Sequence, residues 1–185
     1  MTPAASVGGD DRMRLFLALQ LPEAALDVVV GWQAEHVREG RRVPREHLHV
    51  TLAFLGARPA SELPSIVGAL RGACRVAGRI ALEPAGWRET RSVGMVVLRD
   101  LDGAAERLAG RLHAGLEALG VYRPESRAWL PHLTVVRFRE RPRLDPPLPG
   151  MGTFVPSGAA AYLSRLHPTG ARYEVLERVS LIEGG

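Results

Sequence analysis

The chain has 185 residues and a mass of 20.1 kDa, which allows one domain or two small lobes on a shared core but not two full-sized independent domains. Hydrophobic residues make up 46% and charged residues 24%, and this balance excludes a wholly disordered chain. The formal net charge is only +4 although the pI is about 10.1, because every basic residue is an arginine, which holds its proton to about pH 12; a polyanionic partner is compatible with this field but not required by it.

In chain order, Arg14–Leu21 is a short apolar run closed by Pro22 and reads as a buried strand. Residues 22–39 carry Leu26, Val29, Val30 and Val37 at helical spacing, with Pro22 in a tolerated first-turn position and Gly40 as the stop. Residues 41–45 read as a basic loop. Leu48–Leu55 alternates as a strand does, Gly56–Pro59 reads as a turn, and Ser61 N-caps a second helix running to Ala77. Arg79–Leu82 and Val93–Leu98 read as strands joined by an irregular stretch with Gly86 and Trp87. A third helix covers 102–119 and ends at Gly120. His132–Phe138 is a strand, the proline-rich stretch 139–152 is a loop, and two strands at 160–166 and 173–182 flank a Pro168-Thr169-Gly170 turn. Sheets covered by helices follow, and the second half loosely repeats the first.

The single cysteine, Cys74, rules out an internal disulfide, fits a reducing compartment and falls on a helical stripe as a small core residue. Met1–Arg12 is small, polar and acidic, and is expected to fray. No basic segment followed by a long apolar stretch occurs there, and no apolar run approaches the ~18 residues of a membrane span. A cytoplasmic protein without membrane contact is therefore expected.

The chemistry lies in a repeated short motif. Residues 48–52 read Leu-His-Val-Thr-Leu, and residues 131–135 read Pro-His-Leu-Thr-Val. Alternate side chains of a strand share a face, so His49 and Thr51 point one way and Val50 and Leu52 the other. His132 and Thr134 stand in the same relation to Leu133 and Val135. Histidine titrates near pH 6.5, so of two imidazoles one can be neutral and the other protonated at neutral pH. One can then take a proton from an attacking oxygen while the other gives one to a leaving oxygen, as phosphodiester displacement requires. The threonine hydroxyls can donate to the non-bridging oxygens. No Asp, Glu or Cys accompanies either histidine on its strand face, so the set is poor for a metal and none is expected.

These two His-x-Thr-x motifs resemble those of the 2H phosphoesterase superfamily, and in particular the RNA 2′,3′-cyclic phosphodiesterase (2′-5′ RNA ligase) family. The opening RLFLALQLP, residues 43–56 (VPREHLHVTLAFLG), residues 131–137 (PHLTVVR) and the stretch LHPTGARYEVLERVSL carry the resemblance, which covers most of the chain. It implies an α+β, bilobal, pseudo-duplicated fold with two antiparallel sheets facing a central cleft and helices outside. The lobes would divide at about 14–90 and 91–185 within a single domain. It implies metal-independent hydrolysis of RNA 2′,3′-cyclic phosphate ends to 2′-phosphates, with reversible ATP-independent 2′-5′ ligation as a side activity. By motif position, His49 becomes the proton donor, His132 the proton acceptor, and Thr51, Thr134 and Arg137 the phosphate-binding residues, with no cofactor. The partner becomes an RNA or oligonucleotide with a cyclic phosphate end, and the protein a monomer. Two departures stand out: Arg42 and Gly94 fall where relatives tend to carry aromatic residues that could stack on a base.

Two other readings compete: a 2H enzyme acting on a small cyclic nucleotide such as ADP-ribose 1″,2″-cyclic phosphate, and a nucleotide- or RNA-binding module without turnover. Two matched proton-transfer groups argue against the second. Of the remaining histidines, His36 and His113 read as surface residues on helices, His47 as structural with some reach to substrate, and His167 as exposed. Trp87 and Trp129 read as core or rim residues. Arg38, Arg41, Arg42 and Arg45 read as a solvated loop able to assist RNA backbone binding.

Overall fold

The computed structural model describes residues 11–181. Eight strands form two four-stranded antiparallel sheets. In the first, β3 (His49–Pro59), β1 (Arg12–Gln20), β7 (Gly158–Arg165) and β8 (Arg172–Val179) lie side by side in that order. In the second the order is β2 (Arg41–Arg42), β6 (His132–Arg137), β5 (Val93–Asp100) and β4 (Leu82–Glu89). The helices are α1 (Glu23–His36), α2 (Leu63–Arg75) and α3 (Ala104–Ala118). The α+β class and the two antiparallel sheets follow the sequence reading.

β1 shows how alternation builds the layers. Leu15, Leu17 and Leu19 enter the main core with Ile66 and Leu70 of α2 and Leu108 and Leu112 of α3. Phe16 and Ala18 point to the opposite face and form a small second cluster with Ala160 and Tyr162 of β7. The main core is continuous from the first sheet through the helices to Val96, Leu133 and Val135 of the second.

Several boundaries differ from the sequence reading. A division at 90/91 does not separate the sheets: β7 and β8 join β1 in the first, while β2 and β4 belong to the second. Gly56–Pro59 is not a turn but the end of β3, held against Arg12–Leu15. Arg12 is therefore in β1, although the N-terminal stretch is expected to fray; residues 1–10 and the end of the last expected strand, Ile182, lie outside the described residues. Arg41–Arg42 pairs with Val136 and Arg137 instead of looping freely. Residues 79–81 are not in a strand, and the supposed irregular stretch around Gly86 and Trp87 is β4, whose register slips between Pro84 and Gly86. α2 begins at Leu63 after a 3₁₀ turn (Ala60–Glu62) with no side-chain cap at Glu62; Pro64 supplies the preset first-turn geometry instead.

The two motif strands share a defect. In β3, Thr51 pairs with Ala18 and Ala53 with Leu17, so Leu52 is skipped. In β6, Thr134 pairs with Met95 and Val136 with Gly94, so Val135 is skipped. Each bulge falls on the residue after the threonine, and the burial sequences over 49–54 and 132–137 are identical. Each bulge carbonyl is taken by a side chain from a helix. His113 Nε2 of α3 lies 2.7 Å from the Leu52 carbonyl, and the Gln33 amide of α1 donates to the Val135 carbonyl at 2.7 Å and to the Val43 carbonyl at 3.0 Å. The sequence reading of His113 as a surface residue is thus corrected: it is half-buried, bonded to β3 and stacked on Tyr122 at 4.7 Å. Gln33 is 2% exposed, so Gln33→Leu strips a buried donor from two carbonyls. Urea denaturation is expected to show a loss of about 1–3 kcal/mol.

Candidate active site

Each motif histidine is anchored in the same way. His49 Nδ1 lies 2.7 Å from the carbonyl oxygen of His47, and His132 Nδ1 lies 2.8 Å from that of Leu130. A carbonyl only accepts, so each Nδ1 carries the proton and each Nε2 is left for chemistry. His49 Nε2 is 3.0 Å from the Thr51 hydroxyl. Both rings and both threonines line one cavity of about 900 Å³ between the sheets. β3 and β6 approach within 8 Å although they belong to different sheets. All five residues singled out from the sequence meet here, since Arg137 lines the same cavity.

The bulges bring in the residue five positions after each motif histidine. Under strict alternation Arg137, five residues after His132, would face away from it. The slip at Val135 returns it to the cleft face. The slip at Leu52 does the same for Phe54, which is half exposed and carries the Arg14 guanidinium 4.8 Å from its ring centre. Sequence reasoning missed Arg14 and Phe54. The signal was available, for Phe54 stands at the same offset from His49 as Arg137 from His132. It also missed Tyr173 of β8, whose ring lies 4.4 Å from that of His47 and 5.7 Å from that of His49.

The field in the cavity is positive. Arg14, Arg41, Arg42, Arg137 and Arg172 line it against a single carboxylate, Glu46. Of the loop arginines, Arg45 is consumed by Glu23 and by Asp27 at 3.0 Å, and Arg42 donates to the Val37 carbonyl at 2.9 Å behind α1. Arg38 is exposed and does not line the cavity. His49 sits among Phe16, Tyr162 and Tyr173. Burial holds its pKa down from 6.5 to about 4; the nearby His132, His47 and Arg137 charges push the same way, while the bond to the His47 carbonyl opposes. His47 is lowered too, by burial first and then by Arg41 and Arg137 against Glu46. Among the described residues no cluster of three or more His, Cys, Asp or Glu side chains is arranged to hold a metal ion. Nor is any described helix long and apolar enough to cross a membrane.

The family model of the 2′-5′ RNA ligase superfamily matches residues 22–168. The chain belongs to this superfamily. A Thermus thermophilus protein named RNA 2′,3′-cyclic phosphodiesterase is 34% identical over 91% of this chain and 90% of its own length. An Escherichia coli protein of the same name is 30% identical over 92% and 97%. A crystal structure of a Thermus thermophilus protein superposes with a TM-score of 0.78 at 31% identity, covering 94% of this chain and all of its own. Escherichia coli LigT complexed with 3′-AMP shares the fold, with a TM-score of 0.80 at 24% identity over 94% of this chain and all of its own.

In this superfamily member the two departures have structural explanations. Arg42 is tied to the end of α1. A side chain at Gly94 would collide with the Trp87 ring and Val136, so the indole of β4 already fills that space. The Trp129 indole donates to the Thr51 carbonyl at 3.0 Å, which makes it a brace for β3 at the rim. His167 lies exposed in the β7–β8 turn, as its sequence suggests. The depressed His49 pKa has a consequence for stability. Below pH 6.5 the unfolded chain takes up a proton that the folded ring refuses until about 4, so stability falls as pH drops through that window. His49→Gln is expected to lose less stability than the wild type between about pH 7 and pH 5, read by urea denaturation.

Proposed function

We propose that this protein hydrolyses RNA 2′,3′-cyclic phosphate ends to 2′-phosphates, with His132 as proton acceptor and His49 as proton donor. The observation that carries the reading is the matched pair of imidazoles, each anchored through Nδ1, lining one arginine-rich cavity. His132 Nε2 takes a proton from water as the water oxygen bonds to phosphorus. The bond from phosphorus to the 3′-oxygen breaks, and the Nε2 proton of His49 goes to that oxygen. The Thr51 and Thr134 hydroxyls and the Arg137 guanidinium donate to the non-bridging oxygens, where charge accumulates. The RNA names of the relatives support the substrate class. Phe54 with Arg14 above it offers a stacking face for the terminal base.

The donor role needs His49 protonated, yet burial keeps it neutral near pH 7. The substrate supplies the missing charge: a phosphodiester anion beside the ring opposes the effect of its cationic neighbours and raises its pKa. Binding and protonation are then linked, and a non-titrating anion such as sulfate binds more tightly as pH falls toward 5. A monomer in the cytoplasm, needing no cofactor and no metal, completes the proposal, with reversible 2′-5′ ligation as a minor activity of the same groups.

His49→Ala and His132→Ala are each expected to lower turnover of a 2′,3′-cyclic nucleotide by about 10²-fold or more with the fold retained. Thr51→Ala and Thr134→Ala should cost roughly 1–3 kcal/mol of transition-state stabilisation each. The wild-type rate should follow a bell-shaped pH profile and persist in EDTA. Loss of activity in EDTA with recovery on adding zinc, or a 3′-phosphate product, would refute the assignment.

A further inference from the structure

A second groove, of about 1010 Å³, opens beside the catalytic cleft. The two share Arg41, Arg137, Thr169 and Gly170, so the end of β6 and the β7–β8 turn border both. Arg41 is fixed at the junction. It donates to the Thr169 carbonyl at 2.6 Å, and its guanidinium packs against Gly170. Beyond the junction the groove presents Arg139 and His167, with the carboxylates of Glu39 and Glu140 also in its lining. Among the described residues the guanidiniums of Arg137 and Arg139 have no hydrogen bond or ion pair. One held cation and two unpaired ones thus run out of the cleft.

This exit lies away from the aromatic end. His47, just before β3, feels the charges of Arg41 and Arg137, so the end of β6 lies beside the start of β3. Phe54 stands further along β3, past Thr51. A nucleotide whose base rests on Phe54 and whose phosphate lies between the imidazoles has the Arg41–Arg137 end free for the rest of its strand.

We propose that this second groove binds the RNA strand on the 5′ side of the cyclic phosphate, with Arg139 and His167 contacting backbone phosphates; this rests on the cyclic phosphodiesterase reading. Nucleotides beyond the terminal one then add affinity without touching the reacting atoms, and they add it through charge, so that it weakens with salt. Glu140 works against the bound strand and limits its affinity.

The test compares a 2′,3′-cyclic mononucleotide with a short oligonucleotide carrying the same cyclic end, on the full chain, at low and raised salt. Arg139→Ala is expected to raise KM for the oligonucleotide roughly three- to tenfold and to flatten its salt dependence, leaving the mononucleotide unchanged. Glu140→Gln is expected to lower the oligonucleotide KM, a gain that misfolding does not produce. Parallel changes for both substrates, or no change for the oligonucleotide with either variant, would overturn the proposal. If the wild type turns over neither substrate, the phosphodiesterase reading fails. Fluorescence anisotropy with a labelled, uncyclised oligonucleotide then reads the groove alone. Weaker binding by Arg139→Ala and tighter binding by Glu140→Gln support it, and equal affinities refute it.

Discussion

The hydrogen bond from each motif histidine to the carbonyl two residues before it decides what the cleft can do. At 2.7 Å for His49 and 2.8 Å for His132, these bonds set the tautomer and the ring orientation together. A free imidazole would rotate and divide its proton between two nitrogens. Here both Nε2 atoms are available for proton transfer on the threonine side of their strands. The acceptor is a backbone carbonyl and not a carboxylate, and its bond opposes but does not outweigh the burial that lowers the His49 pKa. The buried ring stays neutral until an anion arrives. In the proposed reaction, substrate binding and the charging of the donor become one event.

The second element is the bracing between the halves. The bulge after Thr51 is held by His113 from α3, and the bulge after Thr134 by Gln33 from α1. Each helix follows a strand of one sheet and secures the bulge in a strand of the other. With β7 drawn back beside β1, each sheet takes strands from both halves of the chain, and the two sheets share one core. The relative placement of the two histidines is thus tied to these hydrogen bonds and to the packing of the shared core.

Much of this was legible in the sequence. Alternation placed His49 with Thr51 and His132 with Thr134, and the apolar partners on the core side are fully buried. The helices were visible in their 3.6-residue stripes. The bulges were not legible, since an inserted residue leaves no mark in a short apolar run such as Leu52-Ala53 or Val135-Val136. Yet the bulges turn Phe54 and Arg137 into the cleft. β4 was hidden because the stretch with Gly86 and Trp87 reads as irregular, while the structure places a register slip between Pro84 and Gly86 in this edge strand. His113 looked like a surface residue because its acceptor, the Leu52 carbonyl, lies 61 positions away in the chain.

The surplus of arginine also finds a local meaning. Some of it is held in ion pairs, as in Arg45 with Asp27 or Arg58 with Glu62. Five others, Arg14, Arg41, Arg42, Arg137 and Arg172, line the cleft against Glu46 alone, so a weakly charged protein presents a strongly positive site. The claim on which all this depends is that both imidazoles serve one phosphorus. A crystal structure with a bound nucleoside 2′-phosphate tests it most directly. The expected result is a single phosphate within hydrogen-bond distance of both Nε2 atoms, with Thr51 and Thr134 on its remaining oxygens. A phosphate held by one histidine alone, or bound outside the cavity they line, would contradict it.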